Sequence, residues 1–178
     1  WRFKLDQQRI DWHDSILGPI SIDAGSVSDP VLIRGDGQFL YTLASVVDDI
    51  DFNINYVIRG SDHVTNTAVQ IQLIKKMGAI PPSFAHHSLL VGEKGEPLSK
   101  RRNNVSLGQL RKIGLEPEAI FIFMASLGSQ ISYDADVSIK EVYEKFDLSL
   151  FGSAPTKFNS NSLTTFSQKR LMKITLSE

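Results

Sequence analysis

The strongest constraint on the fold is a run of consecutive apolar residues at 56–58, which lies between two segments with helical spacing. A strand that is apolar on both sides is typical of a parallel sheet covered by helices on both faces. Apolar residues recur at helical spacing over 39–50 and again over 65–77, which predicts a helix before and a helix after this strand. Apolar runs at 31–33 and 88–91 predict two further strands. The first half of the chain is therefore predicted to be a parallel α/β unit.

The second half of the chain has helical periodicity. Ser106 is placed to cap a helix that stops at Gly114. Pro117 is placed in the first turn of the next helix, where its missing N–H does no harm, and Gly128 ends that helix. Two more helices are predicted over 138–146 and 162–174. The period changes near residue 97, so this half is predicted to be an all-helical module.

The residues before 28 alternate loosely between apolar and polar, which predicts short strands or a hairpin. Together with the two halves described above, this gives three predicted segments. They are 1–27, 28–96 and 97–178.

Composition excludes several classes of protein. The 178 residues contain no cysteine, which excludes disulfides and a thiolate zinc site and fits a reducing compartment such as the cytoplasm. The apolar runs are too short to span a bilayer, so no membrane segment is expected. A net charge of −1 argues against a chain that is basic throughout, but a local patch at 100–102 would suffice for nucleic acid. The start at Trp1, without an initiator Met, suggests a piece of a longer protein.

A ligand site is predicted at the carboxyl ends of the parallel strands, where α/β sheets bind their ligands. Arg59 and Asp62 follow the strand at 56–58, and Tyr41 and Ser45 lie one turn apart at the start of the preceding helix. An arginine at such an edge can hold a carboxylate through a bidentate pair of hydrogen bonds. The alternative is a surface ion pair between Arg59 and Asp62, with Tyr41 half-buried in packing. Position alone favours neither.

Two further features bear on chemistry. The loop that contains Ser99, Lys100 and Arg101 could offer a hydroxyl and two cations to a polyphosphate, although basic loop residues are more often simply solvated. His86 and His87 are adjacent on an extended segment, so their side chains should point to opposite faces and cannot hold one metal ion together. Packing is the expected role of this pair, and no metal site is predicted.

Taken in series, the motifs resemble those of a class I aminoacyl-tRNA synthetase of the bacterial glutamyl type. The similarity covers most of residues 28 to about 170 in order. In the first half the matching residues are 28–37, Tyr41, 46–49, 57–63, Asn66, Thr67, Gln70, 84–86, Leu89, Leu90 and 98–101. In the second half they are 105–107, 114–119, 127–128, 146–148, Pro155, Phe158 and Asn159.

The resemblance implies a fold and a set of roles. The fold would be the C-terminal half of a class I Rossmann-like nucleotide-binding domain, followed by a mostly helical module that contacts the tRNA acceptor or D-stem region. Glutamate would be held by Tyr41, Ser45 and Arg59. ATP, bound with Mg²⁺ and without zinc, would be held by Asp62, Leu89, Leu90, Ser99, Lys100 and Arg101. Lys100 would be the catalytic residue of the family's KMSKS signature loop.

This chain departs from the family pattern in three ways. Pro97 replaces the first lysine of the signature, and Ser45 stands where asparagine or valine is common. The half of the nucleotide fold that carries the HIGH signature is absent, so the chain is interpreted as an internal fragment of a glutamate–tRNA ligase that would be inactive alone. The alternatives are a paralogue that glutamylates tRNA(Gln) and a non-catalytic module that binds RNA or a nucleotide.

Overall fold

The computed structural model describes residues 1–98 and 106–175. The chain divides into two compact units, Trp1–His87 and Ser88–Glu178. The division follows His87, whereas the sequence analysis divides the chain after residues 27 and 96. The residues before 28 belong to the same compact unit as the helices and strands that follow them.

The first unit contains a four-stranded sheet. Its strands are β1 (Arg9–Asp14), β2 (Gly18–Asp23), β3 (Tyr56–Gly60) and β4 (Ser83–His87), in the order β2-β1-β4-β3. The first two form an antiparallel hairpin, as predicted. The β3 and β4 strands are parallel and pair along their full length, and β1 joins β4 in parallel through the single pair Asp14 and Phe84. The predicted parallel α/β arrangement is confirmed.

One predicted strand, at 31–33, is wrong, and another, at 88–91, forms only at Leu90–Val91 and outside the main sheet. Residues 31–33 form only isolated bridges, from Val31 to Arg2 and from Ile33 to Phe39, because Pro30 and the turn at Gly37 leave too short a segment for a ladder. The strand predicted at 88–91 is not part of this sheet. Its place is taken by β4, whose central residues are buried although its sequence, with two histidines, looks polar.

The unit has two helices, α1 (Tyr41–Asp51) and α2 (Val64–Lys76); α2 packs on the sheet and α1 packs on α2. Residues 67–74 of α2 are all buried, since this helix is packed both on the strands and on α1. One apolar cluster joins α2 to the hairpin and β4, and another joins it to Val46 of α1. Gly78, at φ +80°, ends the helix in the left-handed conformation that glycine adopts without strain. Arg59, near the end of β3, donates hydrogen bonds to Tyr41 of α1 and Thr67 of α2, which links the carboxyl end of this strand to both helices.

The second unit is mostly helical, as predicted. Its helices are α3 (Leu107–Lys112), α4 (Pro117–Ser126), α5 (Ile139–Lys145) and α6 (Ser160–Thr175). Ser106 and Ser138 each begin a helix with a complete capping box, which satisfies backbone N–H groups that the first turn leaves free. Two short strands, β5 (Leu90–Val91) and β6 (Thr156–Lys157), pair in parallel.

A buried arginine ties the helices of the second unit together. Arg170 of α6 is only 4% exposed, and it forms ion pairs with Glu116 at 3.1 Å and with Glu118. Its guanidinium also donates to the backbone carbonyls of Ala135 at 3.1 Å and Val137 at 2.7 Å. Every acceptor here belongs to the chain, so this arginine is satisfied internally. Within the part of the chain that the structure describes, no helix is long and apolar enough to cross a membrane.

Candidate functional site

The site centres on Arg59, the next-to-last residue of β3. The half-buried guanidinium donates four hydrogen bonds within the first unit, and all four acceptors are side chains. The acceptors form the Arg59 cradle: Tyr41 Oη at 3.0 Å, Thr67 Oγ1 at 2.5 Å, Gln70 Oε1 at 2.7 Å and His86 Nε2 at 3.3 Å. Arg59 also lies over the ring of Phe84, with 5.6 Å from the guanidinium carbon to the ring centroid.

No acceptor in the Arg59 cradle carries a negative charge. Among the described residues, no carboxylate forms an ion pair with Arg59. The surface pair between Arg59 and Asp62 is therefore not formed: the Asp62 carboxylate is exposed and lies 3.9 Å from His63 Nε2. A partly buried cation without a counter-ion is unfavourable, and an anionic ligand would relieve that penalty.

Asp49 is the acidic group whose ionisation is coupled to Arg59. Burial raises the pKa of Asp49 above its ordinary value, although the positive charge of Arg59 lowers it and the neighbouring Asp48 raises it again. Asp49 and Arg59 interact through space, but among the described residues they form no ion pair. The Arg59 guanidinium therefore has no direct carboxylate contact in this part of the chain.

The structure brings the three predicted residues Tyr41, Ser45 and Arg59 together. Tyr41 begins α1, is 51% exposed, and its hydroxyl accepts the hydrogen bond from Arg59 Nη1. Ser45 lies one turn further and reaches Arg59 indirectly. Its hydroxyl accepts from Gln70 Nε2 at 2.8 Å, and Gln70 in turn accepts from Arg59. Ser45 therefore fixes the orientation of the Gln70 amide.

His86 and Asp14 form a buried pair next to Arg59, a contact that the sequence does not predict. His86 and Asp14 are both fully buried, with 2.5 Å between His86 Nδ1 and Asp14 Oδ2. His87 is exposed, so the prediction that the two histidines face opposite ways is confirmed. His86 is fully buried, as a packing role predicts, and in addition both of its ring nitrogens have polar partners.

The local sequence gives a weak signal for two acceptors of the Arg59 cradle. Thr67 and Gln70 are polar residues one turn apart within the buried run of α2, and such an interruption of an apolar stripe indicates a polar contact inside. Asp14 gives no comparable signal, because its partner lies 72 residues away in the chain.

The hydrogen bonds around Asp14 favour its ionised form. Burial opposes ionisation, but hydrogen bonds from the His86 ring and from the backbone N–H groups of Leu17, His86 and Ile16 outweigh it, so the pKa of Asp14 lies below its ordinary value. For His86, burial lowers the pKa, and the positive charge of Arg59 adds to that effect against the raising influence of Asp14. The pair is therefore an aspartate anion beside a neutral imidazole.

The predicted nucleotide-binding residues are distributed differently. Asp62 is exposed in the helical turn that follows β3. Leu89 and Leu90 belong to the second unit, where Leu90 pairs with Thr156 and the Leu89 carbonyl accepts the Thr156 N–H at 3.0 Å. Ser99, Lys100 and Arg101 lie outside the described residues. Over the described ranges 1–98 and 106–175, no group of three or more His, Cys, Asp or Glu side chains is placed to hold a metal ion.

Comparison with known proteins gives a family. Residues 1–165 match the family model "tRNA synthetases class I (E and Q), catalytic domain". The chain belongs to this family. Its mixed α/β fold with parallel strands is shared with a glutamate tRNA ligase from Elizabethkingia meningosepticum, solved in complex with its amino acid. That likeness has a TM-score of 0.82 at 28% identity, over 96% of this chain and 38% of that one.

Curated relatives are similar in sequence. The chain is 60% identical over 163 residues to glutamate–tRNA ligase 2 of Jannaschia sp. (strain CCS1), covering 92% of this chain and 36% of that protein. It is 54% identical over 178 residues to glutamate–tRNA ligase 1 of Roseobacter denitrificans, covering 100% of this chain and 40% of that protein. The chain thus spans well under half the length of these relatives.

Proposed function

We propose that this chain is part of a cytoplasmic glutamate–tRNA ligase, which activates glutamate with ATP and transfers it to tRNA in protein synthesis. The observation that carries the proposal is the Arg59 guanidinium, which is held by four neutral acceptors and has no carboxylate partner among the described residues. The names of the curated relatives and of the solved neighbour support glutamate as the ligand.

Glutamate would place a carboxylate against the exposed side of the Arg59 cradle. Four of the five guanidinium N–H groups donate within the cradle, so the fifth, on Nη1, would donate to the ligand carboxylate. The Tyr41 hydroxyl is accessible beside Arg59 and would contact the same ligand. Ser45 would act through Gln70, whose amide it orients. In this arrangement Arg59 recognises charge, while Tyr41 and Ser45 limit the shape of the side chain accepted.

ATP would be held by Asp62 near the ribose, by the backbone of Leu89 and Leu90 at adenine, and by Ser99, Lys100 and Arg101 at the phosphates. In the activation step a glutamate carboxylate oxygen attacks the α-phosphorus, and the bond from that phosphorus to the pyrophosphate oxygen breaks. Mg²⁺ would accompany ATP and neutralise phosphate charge. Lys100 would stabilise the charge that develops on the leaving pyrophosphate, the kind of contribution worth about 3–4 kcal/mol for one preorganised donor.

The helical segment 97–178 would contact the acceptor or D-stem region of tRNA. Duplex RNA is recognised mainly through its shape, its phosphates and its 2′-hydroxyls rather than through base edges. Segments 1–27 and 28–96 would be the end of the acceptor-binding insertion and the second half of the catalytic domain. The first unit then supplies the amino-acid site, and the second supplies a surface for the nucleic acid.

The proposal is tested by replacing Arg59 with alanine in the full-length protein and measuring aminoacylation of tRNA with glutamate. The KM for glutamate should rise about 10- to 100-fold, since a charge-assisted hydrogen bond is lost, while the KM for ATP should change little. Arg34→Ala is the matched control, because Arg34 is an exposed arginine of the same unit that donates to Gln38 in a turn.

The two variants together decide the outcome. If Arg59→Ala leaves the glutamate KM within about twofold of the Arg34→Ala value, Arg59 does not bind the substrate carboxylate and the proposed amino-acid site is wrong. If the wild-type protein charges no tRNA with glutamate, the proposed activity itself is wrong.

A further inference from the structure

The four hydrogen bonds of the Arg59 cradle hold different parts of the guanidinium. Tyr41, Thr67 and Gln70 accept from its two terminal nitrogens, whereas His86 accepts from Nε. Nε joins the flexible aliphatic chain of the arginine to the guanidinium carbon, so a hydrogen-bond partner at Nε restricts rotation of the whole guanidinium plane. His86 is therefore placed to set the direction in which the terminal nitrogens point.

His86 can accept from Arg59 only in one tautomer. A neutral imidazole has one nitrogen that donates and one that accepts. Nδ1 lies 2.5 Å from Asp14 Oδ2, and an ionised carboxylate can only accept, so the hydrogen must be on Nδ1. The lone pair on Nε2 then faces two donors, Arg59 Nε at 3.3 Å and the Thr67 hydroxyl at 2.8 Å. The single hydrogen of Thr67 also has the His63 carbonyl as an acceptor at 3.1 Å, and when Thr67 donates there, Nε2 accepts from Arg59 alone.

Asp14 is itself held rigidly. Its Oδ1 accepts the backbone N–H groups of His86 at 3.0 Å, Ile16 at 3.1 Å and Leu17 at 3.0 Å, so the carboxylate cannot rotate away from the ring. Four groups face His86. They are Asp14 from β1, Arg59 from β3, His63 from the turn before α2, and Thr67 from α2. Asp14 is the negative charge in this set, and it lies behind a neutral ring that separates it from Arg59.

We propose that Asp14 and His86 are positioning residues for the amino-acid site: Asp14 fixes the Nδ1–H tautomer of His86, whose Nε2 then anchors Arg59 so that its Nη1 faces the substrate carboxylate. The inference rests on the proposed function of Arg59 and extends it to two fully buried side chains that touch no substrate. Because Asp14 is kept one ring away, its charge does not neutralise Arg59 directly, and Arg59 retains its attraction for the ligand.

Two amide variants of His86 distinguish a role in positioning Arg59 from a role in packing alone. In His86→Gln, the amide oxygen can occupy the place of Nε2 and still accept from Arg59. In His86→Asn, the amide nitrogen can occupy the place of Nδ1 and donate to Asp14, but Arg59 loses its acceptor. We expect His86→Asn to raise the KM for glutamate about tenfold or more and His86→Gln to raise it less than about threefold, each with the KM for ATP unchanged. His87→Gln, on the exposed neighbour, is the control.

A third variant tests the tautomer. In Asp14→Asn the amide oxygen can keep the backbone N–H groups, and the amide NH₂ then faces Nδ1, which forces the hydrogen to Nε2. We expect the ¹⁵N NMR spectrum of the full-length wild-type protein to show hydrogen on Nδ1 of His86, and that of Asp14→Asn to show hydrogen on Nε2. The KM for glutamate should rise about tenfold in this variant.

The outcomes are distinguishable from those of the proposed function. If Arg59→Ala raises the glutamate KM but His86→Asn and His86→Gln behave alike, His86 is only structural and this inference is wrong while the amino-acid site stands. Hydrogen on Nε2 in the wild-type spectrum overturns the inference without any activity measurement. If Arg59→Ala has no effect on glutamate, the proposed site fails, and the tautomer measurement then reports on the buried pair alone.

Discussion

Arg59 in the first unit and Arg170 in the second are both held by several hydrogen bonds, but the two arginines differ in how their charge is balanced. Arg170 is almost fully buried against two glutamates and two backbone carbonyls. Arg59 is half-buried, accessible beside Tyr41, and surrounded by neutral acceptors. An arginine that forms ion pairs with carboxylates of its own chain stabilises the fold. An arginine that has only neutral hydrogen-bond acceptors can bind an anionic ligand.

The comparison explains why hydrogen-bond counts alone do not identify a site. Both guanidiniums have four or more partners, and both connect several elements of their unit. Charge balance separates them, because a buried ion pair needs compensation and an arginine with only neutral partners lacks it. The two arginines should therefore differ in how much each contributes to the stability of its unit.

The largest effect is expected for Arg170→Met in the 178-residue chain. Removing one partner of a buried ion pair leaves the carboxylate of Glu116 without its cation, and we expect the free energy of unfolding of the second unit to fall by about 3 kcal/mol. Both tryptophans lie in the first unit, so fluorescence reports that unit while far-UV circular dichroism reports both. The loss should appear in the dichroism. A change below about 1 kcal/mol would show that Arg170 is not the structural arginine.

A smaller effect is expected from acidification of the first unit. His86 has a lowered pKa in the folded chain, so below its ordinary value of 6.5 the unfolded chain binds more protons and the free energy of unfolding falls as the pH is lowered. The lowered pKa of Asp14 stabilises the fold above its ordinary value of 3.8, and that contribution is lost as the pH falls further.

Tryptophan fluorescence during urea unfolding at several pH values between 7.5 and 5 measures the first of these two effects. His86→Gln removes the titrating ring and should flatten the pH dependence, whereas His87→Gln should keep it. An equal slope in wild type and His86→Gln would mean that His86 does not supply the linkage.

The smallest effect on stability is expected for Arg59→Met. Gln70 loses a donor, but Thr67 and His86 keep their mutual hydrogen bond and an uncompensated charge leaves the interior. These terms oppose each other, so the free energy of unfolding should change by about 1 kcal/mol or less. Tryptophan fluorescence measures it directly. If the free energy of unfolding falls as much in Arg59→Met as in Arg170→Met, the two arginines do not differ in their contribution to stability.

Local patterns in the sequence are sufficient for much of the fold. Pro117 and Ser106 mark helix starts because their effects involve only neighbouring backbone groups, and both predictions are confirmed. Of the strand at 83–87, only the extended pair His86 and His87 is predicted, since the burial of its central residues depends on partners in β1 and β3. Apolar residues at 88–91 suggest a central strand, yet their pairing partner is Thr156–Lys157, far along the chain.

The candidate site likewise has residues that local sequence predicts and residues that it does not. Arg59 and Tyr41 are predictable because a strand end and a helix start bring them to one edge. The positioning roles proposed for His86 and Asp14 are not predictable, because they depend on contacts between elements that share no local pattern. Of the family's phosphate-binding loop, Lys100 lies outside the described residues and its role stays a prediction.

The hydrogen bond between Asp14 and His86 also has a consequence for the order of folding. Arg59 finds its cradle among residues 8 to 27 positions away, whereas the Asp14–His86 contact closes a loop of 72 residues. Such a closure is entropically unfavourable and comes after local structure has formed. His86 is the penultimate residue of the first unit. A chain growing from its amino end therefore cannot complete the anchor of Arg59 until almost the whole unit has been synthesised.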